Sequence, residues 1–167
     1  MGKIYLRAAN IFKVISMILF VGCLALIYGY EPDFIRLKYF PGDISDFVFS
    51  KKYWFYGNLI AFVIVNLSLS LMIYFIKVRV IVDDHLSFFR TAYHKEIVLV
   101  WLTVVIACVN ICLALIYSYV GIVNISGIAH AQNYRFMPVV GVIILFFSLF
   151  GLLAVLINLW RSDRERQ

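Results

Sequence analysis

The chain has 167 residues, 64% of them hydrophobic and only 14% charged, with a mean hydropathy of +0.95. A water-soluble domain carries about 25% charged residues and keeps much of its surface in water, so this composition excludes a soluble fold and makes lipid the solvent for most of the chain. The formal charge of +6 does not indicate nucleic acid, because the basic residues stand singly or in pairs at the ends of apolar runs, where they act as a topology signal.

The first predicted helix covers residues 11–30, about the 20 residues needed to cross a hydrocarbon core of about 30 Å. Its one charge, Lys13, is near enough to the end to reach the headgroups. Lys3 and Arg7 precede it as in a signal peptide, but the apolar run is too long for one and no small-x-small cleavage site precedes Glu31, so a retained helix is expected. Residues 31–52 then form a polar loop containing Pro32, Pro41 and Gly42.

The second helix is expected over 53–76, the third over 97–119 and the fourth over 136–160, with Pro138 in the first turn of the fourth, where its missing N–H costs nothing. The loop between the second and third contains Phe88 and Phe89 and suits a path along the membrane surface; the loop over 120–135 is small and polar. Tyr28, Tyr30, Tyr53, Trp54, Tyr56, Tyr117 and Tyr119 form an aromatic belt at one interface, and Trp160 marks the other. Ten of the fifteen Lys and Arg residues fall on the side that holds both termini, which places those termini in the cytoplasm. The expected fold is therefore an all-α integral membrane four-helix bundle, a single membrane domain over 1–167.

Residues 23–30, Cys-Leu-Ala-Leu-Ile-Tyr-Gly-Tyr, match residues 112–119, Cys-Leu-Ala-Leu-Ile-Tyr-Ser-Tyr, with one difference. The two helical hairpins are either a tandem duplication or a chance likeness among few apolar residue types. Cys23, Cys108 and Cys112 all lie within apolar runs and are expected to act as small packing residues.

Polar groups inside spans point to helix contacts or to sites. Asn66 and Ser70 share one face of the second helix. Thr103, Asn110 and Tyr117 are spaced by seven on the third. An Asn66–Asn110 hydrogen bond near mid-membrane is the simplest account, with Ser70 and Thr103 as further helix–helix polar contacts. Gly141, Ser148, Gly151 and Asn158 make a small-residue seam on the fourth helix, directed either within the bundle or toward another subunit, and Gly22 suits a similar part on the first. No span holds a carboxylate or His in its middle, and no GxSxG, HExxH, CxxC or phosphate-binding loop occurs. An enzyme is therefore not expected, nor a cofactor. Asp83, Asp84, His85 and His94 match no familiar metal-ligand spacing, so no metal is expected. Asn124-Ile125-Ser126 is a glycosylation sequon.

After the first helix come Pro32-Asp33-Phe34-Ile35, Phe40-Pro41-Gly42-Asp43 and Ser50-Lys51-Lys52. This order resembles the bacterial membrane domain of unknown function found in the sporulation-delay-toxin immunity family. There a first helix is followed by a Pro-acidic-x-Ile segment, a His-Phe pair, a Gly before an acidic residue, and a Lys before the second helix. The resemblance covers residues 10–77; Lys38 replaces the His, and Gly42 comes one position early. It implies a bacterial inner-membrane protein whose first outer loop is a recognition surface, with Asp33, Lys38 and Asp43 as candidate contacts.

The expected function is thus that of a non-catalytic membrane protein that binds, as an accessory subunit of a membrane complex or an immunity or sensing factor. Its partners would be membrane lipid and a membrane protein or a second copy of itself. The alternative is a transporter or channel for a small neutral or lipophilic solute, using the Asn66–Asn110 zone.

Overall fold

The computed structural model describes residues 2–37, 47–79, 92–127 and 132–164. Four long helices carry the architecture: α1 (Gly2–Tyr30), α2 (Lys51–Arg79), α3 (Ala92–Ser126) and α4 (Phe136–Arg164). Each contains a segment long and apolar enough to cross a membrane: Ile4–Tyr30, Lys51–Val78, Ala92–Ser126, and Gln132–Asn158, the last beginning in a short 3-10 turn over Gln132–Tyr134. The helices exceed the expected ranges at six of eight ends, the exceptions being Tyr30 and Phe136. Lipid sets a minimum length for a span, and nothing stops a helix from running on into the interface while its own hydrogen bonds satisfy the backbone.

The stops are local. Pro32 follows α1 and disfavours helical geometry at the residue before it. Ser50 caps α2, its Oγ accepting from Tyr53 N at 3.5 Å. Gly127, at φ +82°, closes α3 with its N–H on the Val123 carbonyl. The expected loop at 120–135 is therefore helical through Ser126, and α3, at about 1.5 Å per residue, is about 52 Å long.

The first connection also differs from the polar loop expected. Phe34–Leu37 (β1) and Phe47–Ser50 (β2) pair antiparallel, with Ile35 opposite Phe49 and Arg36 opposite Val48. Phe34, Ile35, Phe47, Val48 and Phe49, aromatic or β-branched, favour this pairing over coil. The bundle remains helical, with a small hairpin added at one end.

The helix α3 is the axis. In its most apolar 18-residue window 61% of residues are buried, against 11–17% in the other three helices. Small residues on α3 (Ala107, Cys108, Cys112, Ala114, Gly121) let neighbours approach it. Toward the hairpin end Phe20, Leu24, Phe62, Ala114 and Tyr117 form one core cluster, with Phe20 stacked on Phe62 at 4.5 Å. Toward the terminal end, Val98 and Leu102 pack with Ile73, Ile76, Leu152, Val155 and Leu156. The outward faces of α1, α2 and α4 are apolar and exposed, Phe147 and Phe150 among them, as suits contact with lipid.

Candidate functional site: a mid-bundle polar lock and a buried carboxylate at the hairpin end

Halfway along the bundle three helices share one hydrogen-bond network. Asn66 Nδ2 donates to Asn110 Oδ1 at 2.8 Å, and Asn110 Nδ2 donates back to Asn66 Oδ1 at 3.1 Å. Asn110 Nδ2 also donates to Ser16 Oγ on α1 at 3.2 Å, Asn66 Nδ2 to the Phe62 carbonyl, and Ser16 Oγ to the Lys13 carbonyl. Ser16, Asn66 and Asn110 are all buried. Every amide N–H in the set has a partner, so the network ties three helices together and leaves no free donor, with one lone pair spare on each Oδ1.

Two residues expected as interhelical contacts do otherwise. Thr103 is buried, but its Oγ1 donates to the Leu99 carbonyl of its own helix at 2.7 Å, because a threonine hydroxyl reaches the carbonyl one turn back. Ser70 is half-buried one turn beyond Asn66 and stands outside the network. Ser16 was not anticipated, although it is the one hydroxyl between Lys13 and Tyr28.

The small-residue seam on α4 faces α3, inside the chain. A Cβ on Gly141 would lie 3.2 Å from the Cys112 Cα, and the Trp101 ring occupies the space that a Cβ on Gly151 would need. Ser148, buried between these, donates to the Leu145 carbonyl at 2.8 Å. Asn158 is exposed. Gly22 has nothing within 4 Å of where its Cβ would be, so it does not admit a neighbouring backbone; the helix that α1 approaches closely meets it at Gly121, against Ile27.

At the hairpin end, the sequence signals least expected converge. Glu31, the residue after α1, is 4% exposed. Its Oε2 accepts from Tyr117 Oη at 3.4 Å, while its backbone carbonyl accepts from Lys51 Nζ at 2.8 Å. Lys51 N donates to the Asp33 carbonyl, and its ammonium sits 4.7 Å from the centre of the Tyr28 ring. Trp54 stacks on Tyr117 at 6.1 Å with planes 11° apart. Two buried polar atoms lack a hydrogen-bond partner among the described residues, Glu31 Oε1 and Trp54 Nε1. Burial pushes the Glu31 carboxyl above its usual range, opposed by the Tyr117 hydrogen bond and by the charge of Lys51. The available clue was that Glu31 directly abuts a span while Tyr117 continues the Asn110 stripe.

The hairpin is docked beside this group by an amide clasp. Asn124 Oδ1 accepts from Arg36 N at 2.8 Å, and Asn124 Nδ2 donates to the Arg36 and Val120 carbonyls. The sequon asparagine is thus engaged within a helix. Asp33 is exposed and lines an opening of about 610 Å³ with Phe34, Arg36, Val123 and Asn124. Lys38 and Asp43, the other candidate contacts, lie outside the described residues, as do Phe88, Phe89, Asp83, Asp84 and His85.

These features define a class: among the described residues, four apolar helices of membrane-span length, three of them around a central one, with a small hairpin at one end. No family profile, curated protein or solved structure matches the chain.

Proposed function

We propose that this chain is an integral membrane protein, with both termini cytoplasmic, that works by binding at its outer, hairpin end. It acts without chemistry of its own, as an accessory subunit of a membrane complex or as an immunity or sensing factor. The observation that supports this reading is where polar valence is spent. Ser16, Asn66 and Asn110 in mid-bundle bond one another, whereas the two unpartnered buried side-chain polar atoms among the described residues both lie at the hairpin end. A conduit for solutes needs the reverse arrangement.

The orientation follows from the ten Lys and Arg residues on the terminal side. A bacterial inner membrane is the setting implied by the resemblance of the first hairpin to the immunity family. Phe34, Val48 and Phe49 are exposed on the strands and offer the recognition surface.

The test pairs two sets of variants in native membranes. Phe34→Glu with Val48→Glu should abolish association with the partner while leaving the bundle folded. Asn66→Leu with Asn110→Leu should weaken assembly of the bundle without a separate loss of solute movement. A well-folded double leucine variant that no longer moves a small neutral solute would instead establish transport.

A further inference from the structure

A groove at the opposite end of the bundle has the dimensions and polarity of a lipid site. It is lined by Tyr5 of α1 and by Tyr93, Glu96, Ile97, Val100, Trp101 and Val104 of α3, with a volume of about 540 Å³. Positions 93, 97, 100 and 104 recur at helical spacing, so α3 forms the floor. Tyr5 forms one wall. Trp101, whose ring lies over Gly151 of α4, forms the other. The groove exists because α1 and α4 both pack on α3 with next to no packing on each other.

Its chemistry changes along its length. The two tyrosines and Glu96 lie toward the chain-terminal end, and Val100, Trp101 and Val104 toward mid-bundle. From Tyr93 to Val104 is about 16 Å along the helix, half of a hydrocarbon core of about 30 Å and therefore one leaflet. A phospholipid in that leaflet has the same order, with its head at the interface and its chain toward the middle. Among the described residues that line it, Glu96 alone is charged. Its neighbour Lys95 is turned to α2, where Nζ donates to the Lys77 carbonyl at 2.8 Å.

We propose that this groove binds a phospholipid whose headgroup carries a primary ammonium, one acyl chain lying along Val100, Trp101 and Val104. The ammonium donates to the Glu96 carboxylate between the tyrosine rings, which attract a cation through their faces. An anionic headgroup would meet the Glu96 carboxylate, which no cation among the described lining residues offsets. A choline headgroup carries the charge but has no N–H to donate.

The experiment uses the full chain in mild detergent, with native mass spectrometry after exchange into equal amounts of dioleoyl phosphatidylethanolamine, phosphatidylcholine and phosphatidylglycerol. Phosphatidylethanolamine should be retained about tenfold over the other two, the size of one charge-assisted hydrogen bond. Glu96→Gln should remove that preference. Val104→Trp, which fills the acyl end and keeps Glu96, should lower retention of all three lipids. Equal retention of the three by the unaltered protein, a preference for phosphatidylglycerol, or an unchanged preference in Glu96→Gln would overturn the proposal.

Discussion

Replacing Asn110 by leucine removes the hub of the mid-bundle lock. The side chain is fully buried and makes three interhelical hydrogen bonds, two with Asn66 and one with Ser16. Hydrogen bonds between helices in a membrane average about 0.6 kcal/mol and reach about 1.7, so Asn110→Leu should cost about 2 kcal/mol. Leucine also strands Asn66, whose Oδ1 loses its donor while Nδ2 keeps the Phe62 carbonyl. An unsatisfied buried group costs more than a pair removed together. The double variant Asn66→Leu/Asn110→Leu should therefore be more stable than the sum of the single losses predicts, by about 1 kcal/mol of coupling. The assay is a double-mutant cycle by reversible SDS unfolding in mixed micelles. Additive effects, or single variants as stable as the parent, would refute the reciprocal pair as the source of cohesion.

Three further outcomes follow from other parts of the molecule. Because burial raises the folded-state pKa of Glu31 above 4.5, the folded protein holds this proton more tightly than the unfolded chain. That stabilisation is complete at pH below the ordinary carboxyl value and declines as pH rises through the folded value; Glu31→Gln should match the parent in thermal unfolding at low pH and exceed it at neutral pH. Gly141→Leu should lower stability by about 1–3 kcal/mol, as overpacking against the Cys112 backbone does, whereas Gly22→Leu, facing open space, should leave the melting temperature near the parent's. Asn124→Ala should release β1, read as faster hydrogen exchange at the Arg36 amide, while Ser126→Ala, which destroys the same sequon, should not.

Much of the scaffold was legible because lipid leaves few choices: an apolar run of sufficient length must be helical throughout. The Asn66–Asn110 pairing was legible for a related reason, since two amides at similar depth on antiparallel helices have few other partners. Helix ends were less so. Residues 120–126 read as a polar loop, yet their helix is closed only by Gly127 and is held by the clasp of Asn124 on Arg36. The strands are four residues each, too short for alternation to outweigh the prolines and charges around them. Thr103 and Gly22 mark the limit of face arguments. Spacing gives the face a residue occupies, but whether Thr103 bonds its own helix or Gly22 has a neighbour depends on three-dimensional packing. Glu31 escaped notice as the first residue of a loop; its burial arises only when Tyr117, Lys51 and Trp54 arrive from three later parts of the chain.

Site-specific photocrosslinking in living cells tests most directly whether the hairpin end is where this protein binds. A benzophenone side chain would replace Phe34 or Val48 on the strands and, as a reference, Phe147 or Phe150 on the exposed apolar side of α4. The account predicts one abundant protein adduct from the hairpin positions, absent from the α4 positions. Adducts confined to the α4 positions, or none from the hairpin in cells making the protein at its native level, would contradict it.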